Sequence, residues 1–365
     1  MLTDLTREER YIARCVELSR LGEYYVAPNP MVGAVLVDAS GKIIAEGWHR
    51  HYGGPHAEVE CFREWEIKNE KLKIKNYDLS ECTLYVSLEP CSHYGKTPPC
   101  ADMIIAKGVK RVVVGMEDPN PLVAGKGIAR MREAGIEVTV GVGEAMCREV
   151  NKRFICLHEK HRPYVTLKWA QTRDGFLDRK RQGEESRGKG EESREKSEER
   201  HLNGALAISN TVTKQEVHKL RAENMAIMIG TRTALLDNPG LKTTHWPGRN
   251  PIRVLLDRKG VVPRESKIFS PDAETIVYSE CTDWEYILND LSHRGIHSLL
   301  VEGGAQLLQT ILDSGIYDEV QIEYGDEALG TEGVKAPEIN ETKYEKNNTI
   351  FFGGHLFKLL QFIQA

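Results

Sequence analysis

The chain consists of short apolar runs that alternate with stretches whose apolar residues recur every three to four positions. Continuous runs rich in β-branched residues are typical of buried strands, and the three-to-four spacing is typical of amphipathic helices. This alternation favours an α/β sandwich with parallel strands. In the first half it predicts strands over 32–37, 42–46, 83–87, 111–115 and 136–140. It predicts helices after Thr6, near His56, over 101–107 and over 127–134.

Two local signals sharpen the start of this pattern. Thr6 and Glu9 have the spacing of a capping box, in which each side chain bonds the backbone N–H of the other residue. The four residues 38–41 separate the first two strands and have the composition of a turn. We therefore predict a capped first helix and a hairpin of the first two strands.

The same alternation resumes after Pro163 and predicts a second α/β unit. A charged stretch ends at this proline, which indicates a first domain over 1–150, a linker over 151–163 and a second domain over 164–365. The predicted strands of the second domain cover 164–169, 225–230, 252–257, 275–278, 298–301 and 319–324. Its predicted helices cover 213–221, 284–293 and 305–314.

One segment, 179–200, follows neither pattern, because it contains no apolar residue. Eight of its residues are basic and seven are acidic, and the sequence at 183–189 is nearly repeated at 190–196. Such a segment cannot bury enough surface to offset the entropy lost on ordering. We therefore predict a disordered charged insertion within the second domain.

Composition supports two folded domains and excludes several classes of protein. The 365 residues are 40% hydrophobic, which is enough for two cores at roughly 150 residues per domain. A net charge of -5 argues against a protein that mainly binds nucleic acid. No apolar run reaches roughly 18 residues and the first residues lack a secretory pattern, so we expect no membrane span and a cytoplasmic location. The eight cysteines are then better explained as thiols or metal ligands than as disulfides.

Three residues have the types and positions of a catalytic zinc site. His56 follows a Gly-Gly-Pro sequence at a predicted helix start, and Cys91 and Cys100 each follow a proline. One imidazole and two thiolates form a three-ligand set that leaves the fourth zinc position open. Glu58 lies two residues beyond His56 and can converge with it only in the first helical turn. We predict that Glu58 moves protons in a hydrolytic deamination.

The combination is more specific than any of its parts. A His-x-Glu sequence followed by two Pro-Cys sequences matches zinc-dependent nucleobase deaminases, except that eight residues instead of two separate Cys91 from Cys100. The alternative is a structural zinc site, which would need a fourth protein ligand. His93 is the candidate for that ligand.

The longer segments resemble bifunctional riboflavin-biosynthesis deaminase/reductases. The resemblance is carried in the first half by AsnProMetValGly at 29–33, by the Glu-Pro-Cys to Pro-Pro-Cys segment at 89–100, and by 117–127. It implies a cytidine-deaminase-like three-layer domain followed by a dihydrofolate-reductase-like α/β domain. It also implies deamination of 2,5-diamino-6-ribosylamino-pyrimidinone 5′-phosphate, followed by reduction of the ribosyl group to ribityl. The implied cofactors are one Zn²⁺ per chain and NADPH.

The resemblance also implies a substrate site in the first domain. Asn29 would hold the pyrimidine edge, and His93 and Lys96 would meet the substrate together with Asp118 and Asn120. Other interpretations stay open from the residues alone. Asn29 lies between two prolines and fits a turn, Lys96 fits a solvated lysine, and Asp118 and Asn120 fit caps of the next segment.

The second domain lacks a G-x-G-x-x-G dinucleotide fingerprint. Two adjacent glycines between a predicted strand and helix can present backbone amides to a phosphate, although a tight strand–helix turn is the commoner meaning of such a pair. The segments 166–175, 230–241 and 301–305 resemble the family's reductase. The implied substrate contacts are Lys168, Arg221, Leu241 and Glu302. The implied cofactor contacts are Gln171, Thr233, Asp237, Gly303, Gly304, Ala305, Gln306, Leu307 and Leu308.

One departure leaves alternatives open. The stretch 204–209 reads GlyAlaLeuAlaIleSer where many family members have GluSerGlnTrpIleThr, so the second domain could bind its ligand without reducing it. A nucleic-acid editing deaminase is a further alternative, but it predicts basic, aromatic surfaces, and aromatic residues are only 7% of this chain. We expect a small-molecule partner and neither a nucleic acid nor a membrane, and homo-oligomer formation stays open.

Overall fold

The computed structural model describes residues 5–72, 78–94, 98–121, 123–181, 206–281, 283–330, 332–352 and 354–362. The chain divides into two compact units, Met1–Arg162 and Pro163–Ala365. The stretch predicted as a linker is not an extended connection, because Lys152–Lys160 is a helix with Ile155 and Cys156 buried. Its many charged residues conceal this helical spacing in the sequence.

The first unit is a five-stranded sheet with helices on both faces. Its elements are α1 (Arg7–Ser19), β1 (Gly33–Val37), β2 (Ile43–Trp48), α2 (Ala57–Leu72), β3 (Thr83–Val86), α3 (Cys100–Lys107), β4 (Arg111–Val114), α4 (Lys126–Glu133), β5 (Glu137–Val140), α5 (Glu144–Val150) and α6 (Lys152–Lys160). The strand order is β2-β1-β3-β4-β5. The predicted parallel arrangement holds for β3, β4 and β5, whereas β1 is antiparallel to both β2 and β3.

The two faces of this sheet form separate cores, which explains why β1 is an uninterrupted apolar run. Ala34 and Leu36 pack with α2, α3 and α4 on one face. Val35 and Val37 pack with α1 and α5 on the other. The result is the predicted three-layer arrangement. The Thr6–Glu9 capping box at the start of α1 and the β1–β2 hairpin are both confirmed.

The second unit contains an eight-stranded mixed sheet and a small two-stranded sheet. Its elements are β6 (Tyr164–Gln171), β7 (Phe176–Arg179), α7 (Thr211–Glu223), β8 (Ala226–Gly230), α8 (Thr231–Asp237), β9 (Ile252–Leu256), β10 (Thr275–Tyr278), α9 (Trp284–His293), β11 (Ser298–Val301), α10 (Ala305–Ser314), β12 (Glu319–Tyr324), β13 (Gly333–Lys335), β14 (Tyr344–Phe352) and β15 (His355–Phe362). The large sheet has the order β10-β9-β8-β11-β6-β12-β15-β14, and β7 pairs with β13.

The core of this sheet also lies on two faces. Met228 of β8 points into one apolar cluster, and Ile227 and Ile229 point into the other. The strands from β10 to β12 run parallel, and β15 and β14 continue the sheet antiparallel. The sequence did not predict this last hairpin. Much of its apolar surface is exposed, so it lacks the buried run that indicated the other strands.

The charged segment predicted as disordered begins too early at 179. Arg179 is the last residue of β7 and pairs with Gly333 of β13. Arg181 is ordered by ion pairs to Asp178 and Asp237. Residues 182–200 lie outside the described residues. Within the described ranges, no helix has the length and apolar composition needed to cross a membrane.

Candidate active sites

The three predicted metal ligands come together where two helices of the first unit begin. His56 precedes α2, and its carbonyl accepts the N–H of Glu60, so it occupies the cap position. Cys91 lies in the segment after β3, and Cys100 is the first residue of α3. The backbone N–H of Cys100 donates to Cys91 Sγ at 3.3 Å. Two helix N-termini therefore face the sulfurs, which favours thiolates there.

The distances between these ligand atoms fit one tetrahedral zinc ion. His56 Nδ1 lies 3.6 Å from Cys91 Sγ and 3.3 Å from Cys100 Sγ. Zinc bonded to one nitrogen and one sulfur at tetrahedral angles would separate these atoms by about 3.6 Å. All three donor atoms lie within 4.8 Å of one another. The donors therefore suit Zn²⁺, with Nδ1 as the histidine ligand atom.

The protonation of the cluster suits a cation. Hydrogen bonding from Cys100 and then from His56 lowers the pKa of Cys91 to about 4, so this sulfur is a thiolate at neutral pH. The same thiolate raises the pKa of Cys100. A metal ion that binds here therefore displaces the Cys100 proton.

Glu58 is the second residue of α2 and only 3% exposed. Burial raises the pKa of this carboxyl to about 6, and its neighbours include His56, Cys91 and Cys100. The predicted convergence of His56 and Glu58 in the first turn of a helix is therefore what the structure contains. A carboxyl group placed this way can exchange protons near neutral pH.

His49 is a buried residue of this site that the sequence analysis missed. Its Nδ1 lies 2.8 Å from the Pro55 carbonyl oxygen, which can only accept, so Nδ1 carries the proton. Its Nε2 then accepts from Asn29 Nδ2 at 3.0 Å. This fixes the Asn29 amide so that its oxygen is the group left to face a ligand. The T-shaped contact of the His49 and His56 rings, with centroids 5.5 Å apart, places this pair beside the metal ligands.

The other predicted substrate contacts are only partly assembled. His93 is exposed and is not in the metal-ligand cluster of the described residues. Its charge nevertheless acts on Asp118, whose pKa burial raises. Asp118 Oδ1 accepts the N–H of Asn120 at 2.8 Å, so this carboxylate also has the turn-forming role that the sequence left open. Lys96 lies outside the described residues.

A second missed residue, Glu89, connects the metal site to the loop that carries Asp118. Its buried carboxylate accepts four backbone N–H groups, at 2.9 to 3.2 Å, from Asp118, Gly125, Gly127 and Ile128. Two of these donors lie in the first turn of α4, where backbone N–H groups need acceptors. A Cβ at Gly127 would lie 2.1 Å from the Pro90 oxygen, so this contact requires glycine.

The variant Glu89→Gln should detach this loop without removing the metal. The Gln amide nitrogen would face N–H donors, so two of the four bonds would become repulsive. We expect the free energy of unfolding to fall by about 3 kcal/mol and the KM of deamination to rise roughly tenfold. Zinc content should stay at one per chain, measured by atomic absorption. Glu81→Gln, at an exposed carboxylate, is the control, and an unchanged KM in Glu89→Gln would contradict the role.

In the second unit, a cavity of about 1230 Å³ opens at the carboxyl ends of the parallel strands. This is the edge where α/β sheets bind ligands. The predicted residues that line it are Lys168, Arg221, Thr233, Asp237, Leu241, Glu302, Gly303, Gly304, Ala305, Gln306 and Leu307. The two glycines connect β11 to α10, and no side chain caps this helix start. Its N–H groups are therefore available to a phosphate.

Arg221 and Glu302 form a two-bond ion pair in the wall of this cavity. Arg221 Nε donates to Glu302 Oε1 at 3.0 Å, and Nη2 donates to Oε2 at 2.6 Å. Burial opposes ionisation of Glu302, but the guanidinium holds the pKa of this carboxyl below its usual value. The pair therefore gives the cavity a fixed polar wall.

Two of the predicted cofactor contacts do not line this cavity. Leu308 is 0% exposed and packs in the core. It belongs to the inward face of α10 with Ile311 and Leu312, a helical spacing that is visible in the sequence. Gln171 does not line the cavity, and its side-chain oxygen accepts the indole N–H of Trp169 at 2.8 Å.

Several cationic residues that the sequence analysis missed also line the cavity, and three of them follow parallel strands. Arg232 lies in α8, and Arg258 and Lys259 follow β9. Their position directly after parallel strands was a usable signal, because ligands of such sheets bind there. They provide positive charge for an anionic ligand.

Comparison with known proteins assigns both units. The model of the cytidine and deoxycytidylate deaminase zinc-binding region matches residues 5–116, and the model of the RibD C-terminal domain matches residues 163–345. The riboflavin biosynthesis protein RibD of Aquifex aeolicus is 35% identical over 363 residues, which cover 93% of this chain and 92% of that protein. The chain belongs to the RibD family. The family comprises bifunctional deaminase/reductases of riboflavin biosynthesis, as the resemblance predicted.

Solved RibD structures confirm the predicted fold class. A Thermotoga maritima protein described as a diaminohydroxyphosphoribosylaminopyrimidine deaminase/5-amino-6-(5-phosphoribosylamino)uracil reductase has a TM-score of 0.82 and is 36% identical. The match covers 98% of this chain and 99% of that protein. Acinetobacter baumannii RibD also has a TM-score of 0.82, at 29% identity and with the same coverage. The deaminase and reductase units of this chain are thus those of the RibD family.

Proposed function

We propose that the first unit hydrolytically deaminates 2,5-diamino-6-ribosylamino-pyrimidinone 5′-phosphate, with Zn²⁺ held by His56, Cys91 and Cys100. The observation that carries this proposal is the cluster of one imidazole and two thiols beside a buried carboxyl, Glu58. Zinc bound by three protein ligands supplies a water made acidic enough to act as a nucleophile near neutral pH.

Residues of the first unit carry out the other parts of the deamination, which are proton transfer and substrate binding. Glu58 takes a proton from the attacking water and delivers it to the amine that departs as ammonia, so the carboxylate is regenerated. Asn29, fixed by His49, accepts a hydrogen bond from the pyrimidine edge. The loop of Asp118 and Asn120, held by Glu89, closes another side of the site.

The second unit then reduces the deaminated product with NADPH. NADPH, when bound, would supply a hydride for C1′ of the ribosyl group. Reduction breaks the C1′–O4′ bond, and a proton from solvent completes the new hydroxyl of the ribityl chain. The turn at Gly303 and Gly304 provides N–H groups for the pyrophosphate, and Arg221 and Glu302 orient the ribose-phosphate substrate.

The charge of the cavity supports NADPH over NADH. The two cofactors differ by one phosphate on the adenosine ribose. Arg232, Arg258 and Lys259 line the cavity and supply the positive charge that such a phosphate needs. Asp178 and Asp237 also line the cavity, and they share one cationic partner, Arg181, so together these three residues add one negative charge.

A product assay tests both activities. Zinc-loaded protein is incubated with the diaminopyrimidine phosphate alone, with NADPH and with NADH, and products are identified by mass spectrometry. We expect ammonia and deaminated product in the first reaction, ribityl product with NADPH, and much slower reduction with NADH. Deaminated product in all three reactions would contradict the reductase assignment. No product in any of them would contradict the deaminase assignment and direct attention to other amino-heterocycles and RNA.

A further inference from the structure

A buried carboxylate that belongs to neither proposed site contacts Lys168. Glu323 of β12 is 0% exposed, and its Oε2 lies 3.5 Å from Lys168 Nζ. The same oxygen accepts the hydroxyl proton of Ser209 at 2.6 Å. The other oxygen, Oε1, lies 2.8 Å from His355 Nδ1. All of these partners are distant from Glu323 in sequence, which explains why the sequence did not predict the cluster.

Charges alternate across four adjacent strands at this point. Arg221 pairs with Glu302 at the end of β11, Lys168 lies on the neighbouring β6, and Glu323 lies on β12 beside it. His355 begins β15, the next strand. The positive charge of Lys168 also acts on Glu302, so the ammonium lies between two carboxylates.

The carboxylate is ionised in spite of its burial. Burial opposes ionisation of Glu323, but Lys168, Ser209, Thr213 and His355 together hold its pKa below the usual value. A buried charge with fixed partners orients the groups that it contacts. One of these partners, the Lys168 ammonium, also lines the large cavity.

Lys168 lies beside two cavities. It lines both the large cavity and a smaller one of about 320 Å³, whereas Glu323 lines only the smaller one. Lys168 therefore pairs with Glu323 and also borders the large cavity, and an ammonium has three N–H groups to share between a carboxylate and a ligand. Ser209 lines the large cavity and belongs to the stretch that departs from the family pattern.

We propose that Glu323 is a positioning residue of the reductase: it fixes the Lys168 ammonium at the substrate end of the cavity, and Ser209 and His355 fix its carboxylate. The proposal rests on the proposed function, because it takes Lys168 as a substrate contact. It also gives Ser209 a role, since its hydroxyl supplies a hydrogen bond to this network.

The test compares Glu323→Gln with Glu319→Gln, Glu323→Asp and the wild type. Glu319 is a buried carboxylate on the same strand, 2% exposed, bonded to Tyr164 and Gln321. We expect Glu323→Gln to raise the reductase KM for the deaminated substrate about tenfold, with kcat and the KM for NADPH changed less than about threefold. Glu323→Asp should recover most of this loss, and Glu319→Gln should show none of it.

Two further measurements separate positioning from a loss of folding. In a Lys168→Met background, Glu323→Gln should raise the KM no further, because it acts through the lysine. Trace acetylation of Lys168, read by peptide mass spectrometry without cofactor, should be several-fold faster in Glu323→Gln than in wild type, because its ammonium loses a partner. Deamination by the same chain should be unchanged.

The outcomes distinguish this inference from the proposed function. Suppose that the wild type reduces the substrate, but Glu323→Gln has the wild-type KM and the wild-type rate of Lys168 acetylation. This result would overturn the positioning role and leave the proposed reductase activity intact. Equal losses in Glu323→Gln and Glu319→Gln would show that the carboxylate is only structural. Absence of reduction by the wild type would overturn the proposed reductase activity and this role with it.

Discussion

Deamination by Glu58→Gln should be slower than by the wild type by roughly 10²–10⁴-fold, while zinc stays bound. The Gln amide keeps the shape of the side chain but cannot take a proton from water or deliver it to the leaving amine. Glu58 is buried at the start of α2, beside the three metal ligands, so the substitution acts directly at the reacting centre. Ammonia release measures the first effect, and atomic absorption measures the zinc content.

The same chain provides two controls. Reduction of separately supplied deaminated substrate should be unchanged, because the reductase cavity is lined entirely by residues of the second unit. Glu60→Gln replaces a carboxylate on the same helix that pairs with Arg50 and Arg63, and it should retain deamination. Turnover of Glu58→Gln at the wild-type rate would exclude Glu58 as the group that moves the proton.

Replacement of Cys91 by serine should remove the metal and destabilise the first unit. A serine hydroxyl is not ionised at neutral pH, so the ligand set loses one of its two thiolates. Ligand binding stabilises the folded state, and its loss should lower the unfolding midpoint of this unit by about 10 °C. We expect zinc content to fall from one per chain to less than about one tenth, and deamination to disappear with it.

Cys82→Ser is the matched control, because Cys82 is buried in the same unit but lies outside the ligand cluster. Its Sγ contacts only the Asp78 carbonyl oxygen among the hydrogen-bond partners described, and serine can keep that bond. Treatment of the wild type with a chelator should lower the unfolding midpoint of the first unit by the same amount as Cys91→Ser does. Full zinc occupancy in Cys91→Ser would refute the assignment of this ligand.

The sequence predicted those elements whose buried residues form a recognisable pattern, either a continuous apolar run or a regular spacing along the chain. Strand β11 is buried at every position, and helix α9 has its apolar residues on one face, so both were predicted with the observed bounds. The helix α6 and the hairpin β14–β15 were missed for opposite reasons. Charges conceal the apolar face of α6, and the hairpin owes its place to pairing with β12 rather than to its own burial.

The candidate sites show the same division between local and distant signals. The ligand set of His56, Cys91 and Cys100 was predictable because the types of these residues already specify the chemistry, and His56 and Cys100 stand at helix starts. Leu308 was assigned to the cofactor although its helical spacing with Ile311 and Leu312 indicated the core. The Leu308 side chain packs in the core, as this periodicity predicts.

The sequence by itself determined the two α/β units and the cluster of His56, Cys91 and Cys100, and it predicted the nearby carboxyl of Glu58, because residue type and short spacing are sufficient for these. Only the tertiary structure decided which buried polar groups support the sites. His49 holds Asn29, Glu89 holds the Asp118 loop, and Glu323 holds Lys168. The partners in each pair lie 20 to 155 positions apart, and a buried polar group must bond whatever the fold places beside it.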